Sequence, residues 1–142
     1  MTAYDPTNVF ARILRGEIPC FKVFEDERSF AFLDIMPRAP GHTLVIPKAA
    51  ARNILDIAPN DLIAVTRTVQ LIARAGKAAF SADGVTIAQY SERAGGQEVF
   101  HLHFHVIPRH DGVAMKPPAS IKEDMGVLAK HRDMLVAALT AT

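Results

Sequence analysis

The sequence predicts an α+β fold with a five-stranded, mostly antiparallel sheet, and three observations predict it. Short apolar runs bounded by turn signals fall into a group of three and a group of two. Longer stretches with the 3.6-residue spacing of an amphipathic helix stand before, between and after these groups. The first three runs are joined by connections too short for a crossover helix, so neighbouring strands must reverse direction.

The segment "DPTNVFARILRGEIP" reads as a short first helix. Asp5 can cap it, Pro6 suits its first turn, and Gly16 and Pro19 end it. Val9, Phe10, Ile13 and Leu14 share one apolar face. "FKVFEDERSFAFLD" reads as two strands joined by a polar turn from Glu25 to Arg28. "IMPRAPG" is a loop, punctuated by two prolines and a glycine, and "HTLVIP" is a buried strand. A long helix follows from about Pro59 to Phe80, with Leu62, Val65, Val69 and Ile72 on its apolar face. "VTIAQY" is the fourth strand and "SERAGGQ" a loop. "EVFHLHFHVI" is the fifth strand, stopped by Pro108. The tail "PRHDGVAMKPPAS" has no period. "IKEDMGVLAKHRDMLVAAL" is a last helix, with Ile121, Met125, Leu128 and Leu135 on one side.

The 142 residues suit a single domain, 1–142, that ends in this tail and helix. With 16 basic against 15 acidic residues, the chain lacks the basic excess of a general nucleic-acid or membrane binder. A small phosphorylated ligand, which needs only a local group of donors, stays compatible. The N-terminal "MTAYDPTNVF" has no basic start followed by an apolar run, and no stretch is apolar enough to span a bilayer; both point to the cytoplasm. Cys20 is the sole cysteine, so there is neither an intrachain disulfide nor a multi-cysteine metal site, and Cys20 reads as a packing residue.

The chemistry concentrates in "GGQEVFHLHFHVIPR", residues 95–109, where His101, His103 and His105 alternate with Leu102, Phe104 and Val106. On a strand, alternate side chains point to opposite faces, so the imidazoles would share one face and the apolar residues the other. Three imidazoles can serve as zinc ligands. His101 and His105 would then lie roughly 13 Å apart along a strand, which is awkward for one ion held at ~2.1 Å. Nucleophilic catalysis fits better. A neutral imidazole can attack phosphorus and form a phosphoramidate, and its neighbours can hold its tautomer. His103, flanked on both sides, is the natural nucleophile. Gly95 and Gly96 just before it can bring main-chain N–H groups close to phosphate oxygens, or can simply form a turn.

These residues resemble the histidine triad (HIT) family, named for His-x-His-x-His followed by apolar residues. "HLHFHVI" carries the triad. "VFARILRGEIP", "VFEDERSFAFLDIMPRAPGHTLVIPK" and "GGQEVFHLHFHVIPR" extend the resemblance over residues 8–110 in the family's order. The resemblance implies a HIT-like fold, a homodimer, and hydrolysis or transfer at the α-phosphate of adenine nucleotides. Typical substrates would be adenosine phosphoramidates, aminoacyl adenylates and dinucleoside polyphosphates, and the chemistry would need no metal. It assigns the nucleophile to His103, which would form a covalent nucleotidyl-histidine and release a nucleoside monophosphate. His105 would contact the phosphate. His101 would belong to the supporting hydrogen-bond chain, with His42 as its partner. Gln97 and the main chain at Glu98 match phosphate-side positions, and Asp34 matches the carboxylate that takes the ribose hydroxyls. Val9, Phe10, Ile13, Ile18, Phe32 and Ile35 match the apolar base pocket, where a purine and ordinary core packing need the same side chains.

Two departures stand out. Some relatives hold a structural zinc through a Cys-x-x-Cys pair, a histidine after "IPK" and a triad histidine. Here those places carry Asn8, Ala11 and Ala50, so no structural zinc is expected. Where relatives often place a nucleotide-contacting asparagine, this chain has Tyr90 or Ser91. The ending "HVIPRH" in place of "LGGR" leans toward a dinucleoside polyphosphate hydrolase or a broad-specificity member. Two other classes fit the residues: a nucleotide-binding regulatory module with little turnover, and a tris-histidine metalloprotein.

Overall fold

The computed structural model describes residues 3–141. Helix α1 spans Val9–Leu14, α2 Pro59–Ala79 and α3 Met125–Thr140; strands β1 to β5 span Lys22–Glu25, Ser29–Leu33, Thr43–Pro47, Gly84–Ala88 and Phe104–Arg109. The strands form one antiparallel sheet in the order β1-β2-β3-β5-β4. The chain leaves β3, crosses through α2 to the far edge as β4, and returns as β5 between them. That insertion puts the histidine-bearing segment beside β3.

The middle strands β2 and β3 are buried on both faces, and strand alternation decides which residue enters which core. On β2 and β3, Ala31, Leu33 and Val45 join Val65, Val69 and Ile72 of α2 and Leu128 and Leu135 of α3. Phe30, Phe32, Leu44 and Ile46 point the other way, where Phe10 of α1 closes a smaller apolar cluster. Ser29 is buried on the α2 side and stays satisfied because its hydroxyl lies 2.6 Å from that of Thr68.

Three sequence-derived details change. Asn8, not Asp5, caps α1, and its Oδ1 accepts from the Ala11 N–H at 2.9 Å. Asp5 instead accepts from the main-chain N–H of Thr7 in a turn before the helix, which delays its start. The last helix starts at Met125, leaving Ile121 outside it, and both residues are exposed while Leu128 and Leu135 are buried. Asp124 caps this helix by accepting from the Val127 N–H, so the start follows the cap and not the apolar spacing.

The fifth strand differs most. β5 begins only at Phe104 and runs through Pro108 to Arg109. Pairing with β3 ends at Val106, so at Pro108 the strand has one neighbour, Val85 of β4, and a residue without N–H is tolerated. His101 and His103 precede the ladder. The alternation still sorts the side chains, because Leu102, Phe104 and Val106 all enter the main core.

Gly41, in the loop before β3, has φ +85°, and a Cβ there would lie 2.5 Å from the Phe80 ring. We expect Gly41→Ala to lower unfolding stability by about 1–3 kcal/mol, through backbone strain and overpacking together. Urea denaturation of the two proteins would measure it, and an unchanged midpoint would contradict the packing described.

Candidate active site

The apolar cluster on the α1 side opens into a cavity of about 560 Å³. α1 and the segment after it bring Val9, Phe10, Ile13, Ile18 and Cys20 to its wall, and β2 brings Phe32. Asp34 and Ile35 follow directly where β2 ends. His42 arrives from the loop before β3, and His103 and His105 from either side of the start of β5. Glu98 and Val99 reach the cavity from the preceding loop. Cys20 is therefore a wall residue as well as a packing residue.

Main-chain groups decide which nitrogen of each ring carries a proton. The carbonyl of His101 lies 2.7 Å from His103 Nδ1 and can only accept, so Nδ1 holds the hydrogen. In the neutral ring this leaves a lone pair on His103 Nε2. The Arg38 N–H donates to His42 Nδ1 at 3.0 Å, so the His42 hydrogen sits on Nε2. That N–H reaches His105 Nδ1 at 2.9 Å, which in turn places the His105 hydrogen on Nε2. His101 Nε2 lies 2.8 Å from the Pro47 carbonyl and donates to it, so His101 Nδ1 accepts from the hydroxyl of Tyr4.

This overturns one expected pairing. His42 partners His105, not His101, because β3 and β5 pair Leu44 with His105 and so bring residue 42 to that side. His101 does not line the cavity: it is buried, with both ring nitrogens engaged. His103 and His105 stand together, their ring centroids 5.1 Å apart, and the Phe10 ring meets His103 edge-on at 4.9 Å.

Burial governs the protonation of the whole group. It pushes His42 down to about 3, aided by the neighbouring His105 and Arg38. It pushes His101 and His105 down to about 4, and it lowers His103 as well. All four rings are neutral at pH 7, which keeps the His103 lone pair available. Burial also raises the Asp34 carboxyl above its ordinary range, against the opposing bond that its Oδ1 accepts from the Met36 N–H.

Asp34, His42 and His105 offer one oxygen and two nitrogens within 4.8 Å of one another, a spacing that a metal ion could use. The proton on His42 Nε2 argues against it. Freeing a lone pair there would move the proton to Nδ1, against the Arg38 N–H. Asn8, Ala11 and Ala50, at the places of the zinc ligands of some relatives, supply no thiol or imidazole. Asn8 is instead the helix cap, and Ala11 is buried in the core.

Val9, Phe10, Ile13, Ile18, Phe32, Asp34, Ile35, Glu98, His42, His103 and His105 thus share one cavity. Gln97 does not reach it. Its buried side chain donates to the carbonyls of Arg52 and Val99 and accepts from the Glu92 N–H, so it cannot meet a phosphate directly. Of the two residues near the expected asparagine, Tyr90 lines the cavity, its ring centroid 5.7 Å from that of His105. Ser91 turns away to Gln89. Sequence reasoning missed Tyr4 and Arg38, whose partners are 97 and 4 residues away, and the Met115 and Pro118 walls. Only the prolines of the tail hinted that it follows a fixed path.

Sheet, helices and cavity define an α+β protein whose buried imidazoles border an apolar pocket. The chain belongs to the histidine triad family, since the HIT domain model matches residues 15–112. A crystal structure of a HIT-like protein from Bartonella henselae is similar with a TM-score of 0.92 and 48% identity, covering 96% of this chain and 99% of that one. An adenosine 5'-monophosphoramidase of Saccharomyces cerevisiae is 37% identical over 135 residues, 92% of this chain and 82% of that protein. An adenylylsulfatase of Arabidopsis thaliana is 33% identical over 129 residues, 91% of this chain and 66% of that protein. Among the described residues, no helix is long and apolar enough to cross a membrane.

Two measurements follow. Long-range proton–nitrogen NMR spectra at pH 7 should place the ring proton of His103 on Nδ1, and those of His42, His101 and His105 on Nε2. Stability should also fall with acid. Rings with depressed folded values bind fewer protons folded than unfolded, so stability drops as pH falls below about 6.5, by up to ~1.4 kcal/mol per pH unit per ring. The loss should level off below about 4 for His101 and His105, and below about 3 for His42. Urea midpoints that stay flat from pH 6.5 to 4 would contradict the burial of neutral imidazoles.

Proposed function

We propose that this protein is a nucleotidyl hydrolase that acts at the α-phosphate of adenine nucleotides through a covalent intermediate on His103. One observation carries the reading. The His103 Nε2 lone pair, fixed by the bond from Nδ1 to the His101 carbonyl, stands beside a cavity with an apolar pocket and a carboxylate in its wall.

The adenine sits among Val9, Phe10, Ile13, Ile18 and Phe32, and Asp34 accepts from the ribose hydroxyls. His103 Nε2 attacks the α-phosphorus. A phosphorus–nitrogen bond forms, the bond to the leaving group breaks, and its electron pair leaves with that group. The ring becomes cationic, and the His101 carbonyl stabilises it by accepting from Nδ1–H. His105 Nε2–H donates to a phosphoryl oxygen as negative charge grows there. Glu98 and Val99 lie in the cavity wall, and among the described residues their main-chain N–H groups have no protein acceptor, which suits a phosphate neighbour. Water then attacks phosphorus, releases AMP and restores the neutral ring.

Within this class we favour phosphoramidates and mixed anhydrides over dinucleoside polyphosphates. Arg38 is the one guanidinium in the wall, and the histidines beside it are neutral, so a polyphosphate would find little positive charge. The activities named for the yeast and Arabidopsis relatives point the same way. No metal takes part in these steps. The tris-histidine metal reading loses ground because both nitrogens of His101 already have partners.

AMP release from adenosine 5'-phosphoramidate and from diadenosine tetraphosphate, measured side by side with a chelator present, tests the proposal. We expect release from the phosphoramidate to be the faster. His103→Ala should reduce it by at least ~10³-fold while keeping the fold, since nucleophile removal typically costs that much. No release from either substrate, or a fully active His103→Ala protein, would sink the assignment. Asp34→Ala should weaken a ribonucleotide far more than its 2',3'-dideoxy analogue.

A further inference from the structure

The loop that leads into the triad is cross-linked to the segment after β3 by a partly buried polar network that the proposed chemistry does not use. Arg52 grips the Glu92 carboxylate with two bonds, Nε to Oε2 at 2.8 Å and Nη2 to Oε1 at 3.0 Å. The Asn53 amide also donates to Glu92 Oε2, and to Gln97 Oε1 at 3.1 Å. Gln97 returns a bond to the Arg52 carbonyl at 2.7 Å. The Arg52 guanidinium lies over the Phe100 ring, 4.1 Å from its centroid, and the Leu102 N–H donates to the Ala51 carbonyl at 2.9 Å. Three consecutive residues, 51–53, thus hold residues 92, 97, 100 and 102.

Surface ion pairs usually contribute little to stability. This one is shielded on one side: the Glu92 side chain is 38% exposed, but the Arg52 side chain is only 11% exposed and Asn53 is fully buried. Glu92 also has φ +65°, a left-handed conformation that glycine adopts freely and glutamate does not. Such strain persists where the surroundings over-determine it, and it tends to accompany functional sites. Here the carboxylate takes Arg52 and Asn53, the main-chain N–H donates to Gln97 Oε1, and the carbonyl accepts from the N–H groups of Gly95 and Gln97. What the clamp holds in place is the stretch with Gly96, Glu98 and Val99, all in the cavity wall.

We infer that Arg52 and Glu92 are positioning residues, which set the main chain of residues 96–99 where the substrate phosphate would lie. The inference rests on the nucleotidyl-hydrolase reading. Neither side chain lines the cavity, so each acts through the loop. The base and ribose positions come from α1 and β2 and lie outside the clamp. Its loss should therefore be felt by the phosphate and not by the nucleoside.

The test compares adenosine and AMP binding by calorimetry, together with kcat and KM for adenosine 5'-phosphoramidate. The proteins are the full chain, Arg52→Ala, Arg52→Lys, the near-isosteric Glu92→Gln, and the Arg52→Ala/Glu92→Gln double variant. We expect adenosine affinity to stay within about twofold, while AMP affinity and kcat fall roughly tenfold, since small misplacements of a positioning group cost rate steeply. The double variant should be no worse than the worse single one, and Arg52→Lys should recover only part, because lysine cannot make the two-pronged bond. A lower melting temperature with the AMP-over-adenosine preference intact would reduce the clamp to a purely structural role and overturn the inference. Equal losses for adenosine and AMP would do the same. If the parent protein itself neither prefers AMP nor releases it, the hydrolase reading fails, and this inference with it. If the parent turns over and the variants match it, only this inference falls.

Discussion

Everything at the site depends on a main-chain carbonyl, that of His101, accepting from His103 Nδ1. An imidazole free to choose its tautomer would present a lone pair toward the cavity only part of the time. A carbonyl cannot donate, so it removes the choice. The same device recurs where the Pro47 carbonyl sets His101 and the Arg38 N–H sets His42, and through His42 also His105. Backbone groups do not titrate, so the arrangement holds across the pH range in which the rings stay neutral.

Burial supports this by a second route. A charged imidazole loses its hydration inside the protein, so the neutral form is favoured at all four rings. His42, His101 and His103 are buried and His105 is half-buried, in a sheet whose middle is covered by α2 and α3 on one side and α1 on the other. The packing that stabilises the fold therefore also keeps the histidines neutral. The cost is greater sensitivity to acid than four exposed histidines would confer.

Much of the fold was legible in the sequence, because periodicity reports burial directly. Val65, Val69 and Ile72 on α2, and the alternation that sends Leu102, Phe104 and Val106 into the core, read correctly since one residue spacing meets one core. The boundaries that failed were those set by bonds and not by apolar spacing: the Asn8 and Asp124 caps, and the late start of β5 at Phe104. At the site, the residues contributed by α1, by the end of β2 and by the triad could be read together because the resemblance carries them in order. Gln97 was misplaced because its neighbours in sequence say nothing about Asn53 and Arg52, which claim its amide.

The sequence by itself determined the fold class, the central place of His103 and the chemical character of the pocket. The first two follow from side-chain identity and local spacing, and the third from the family resemblance. Tertiary structure alone decided that His42 serves His105, that Tyr4 closes the far side of His101, and that Arg52 and Glu92 clamp the loop before the triad. These are contacts between residues 40 to 97 positions apart. No local pattern encodes them, because a hydrogen bond depends on where the register of the sheet and the path of the loops bring two groups, not on their distance along the chain.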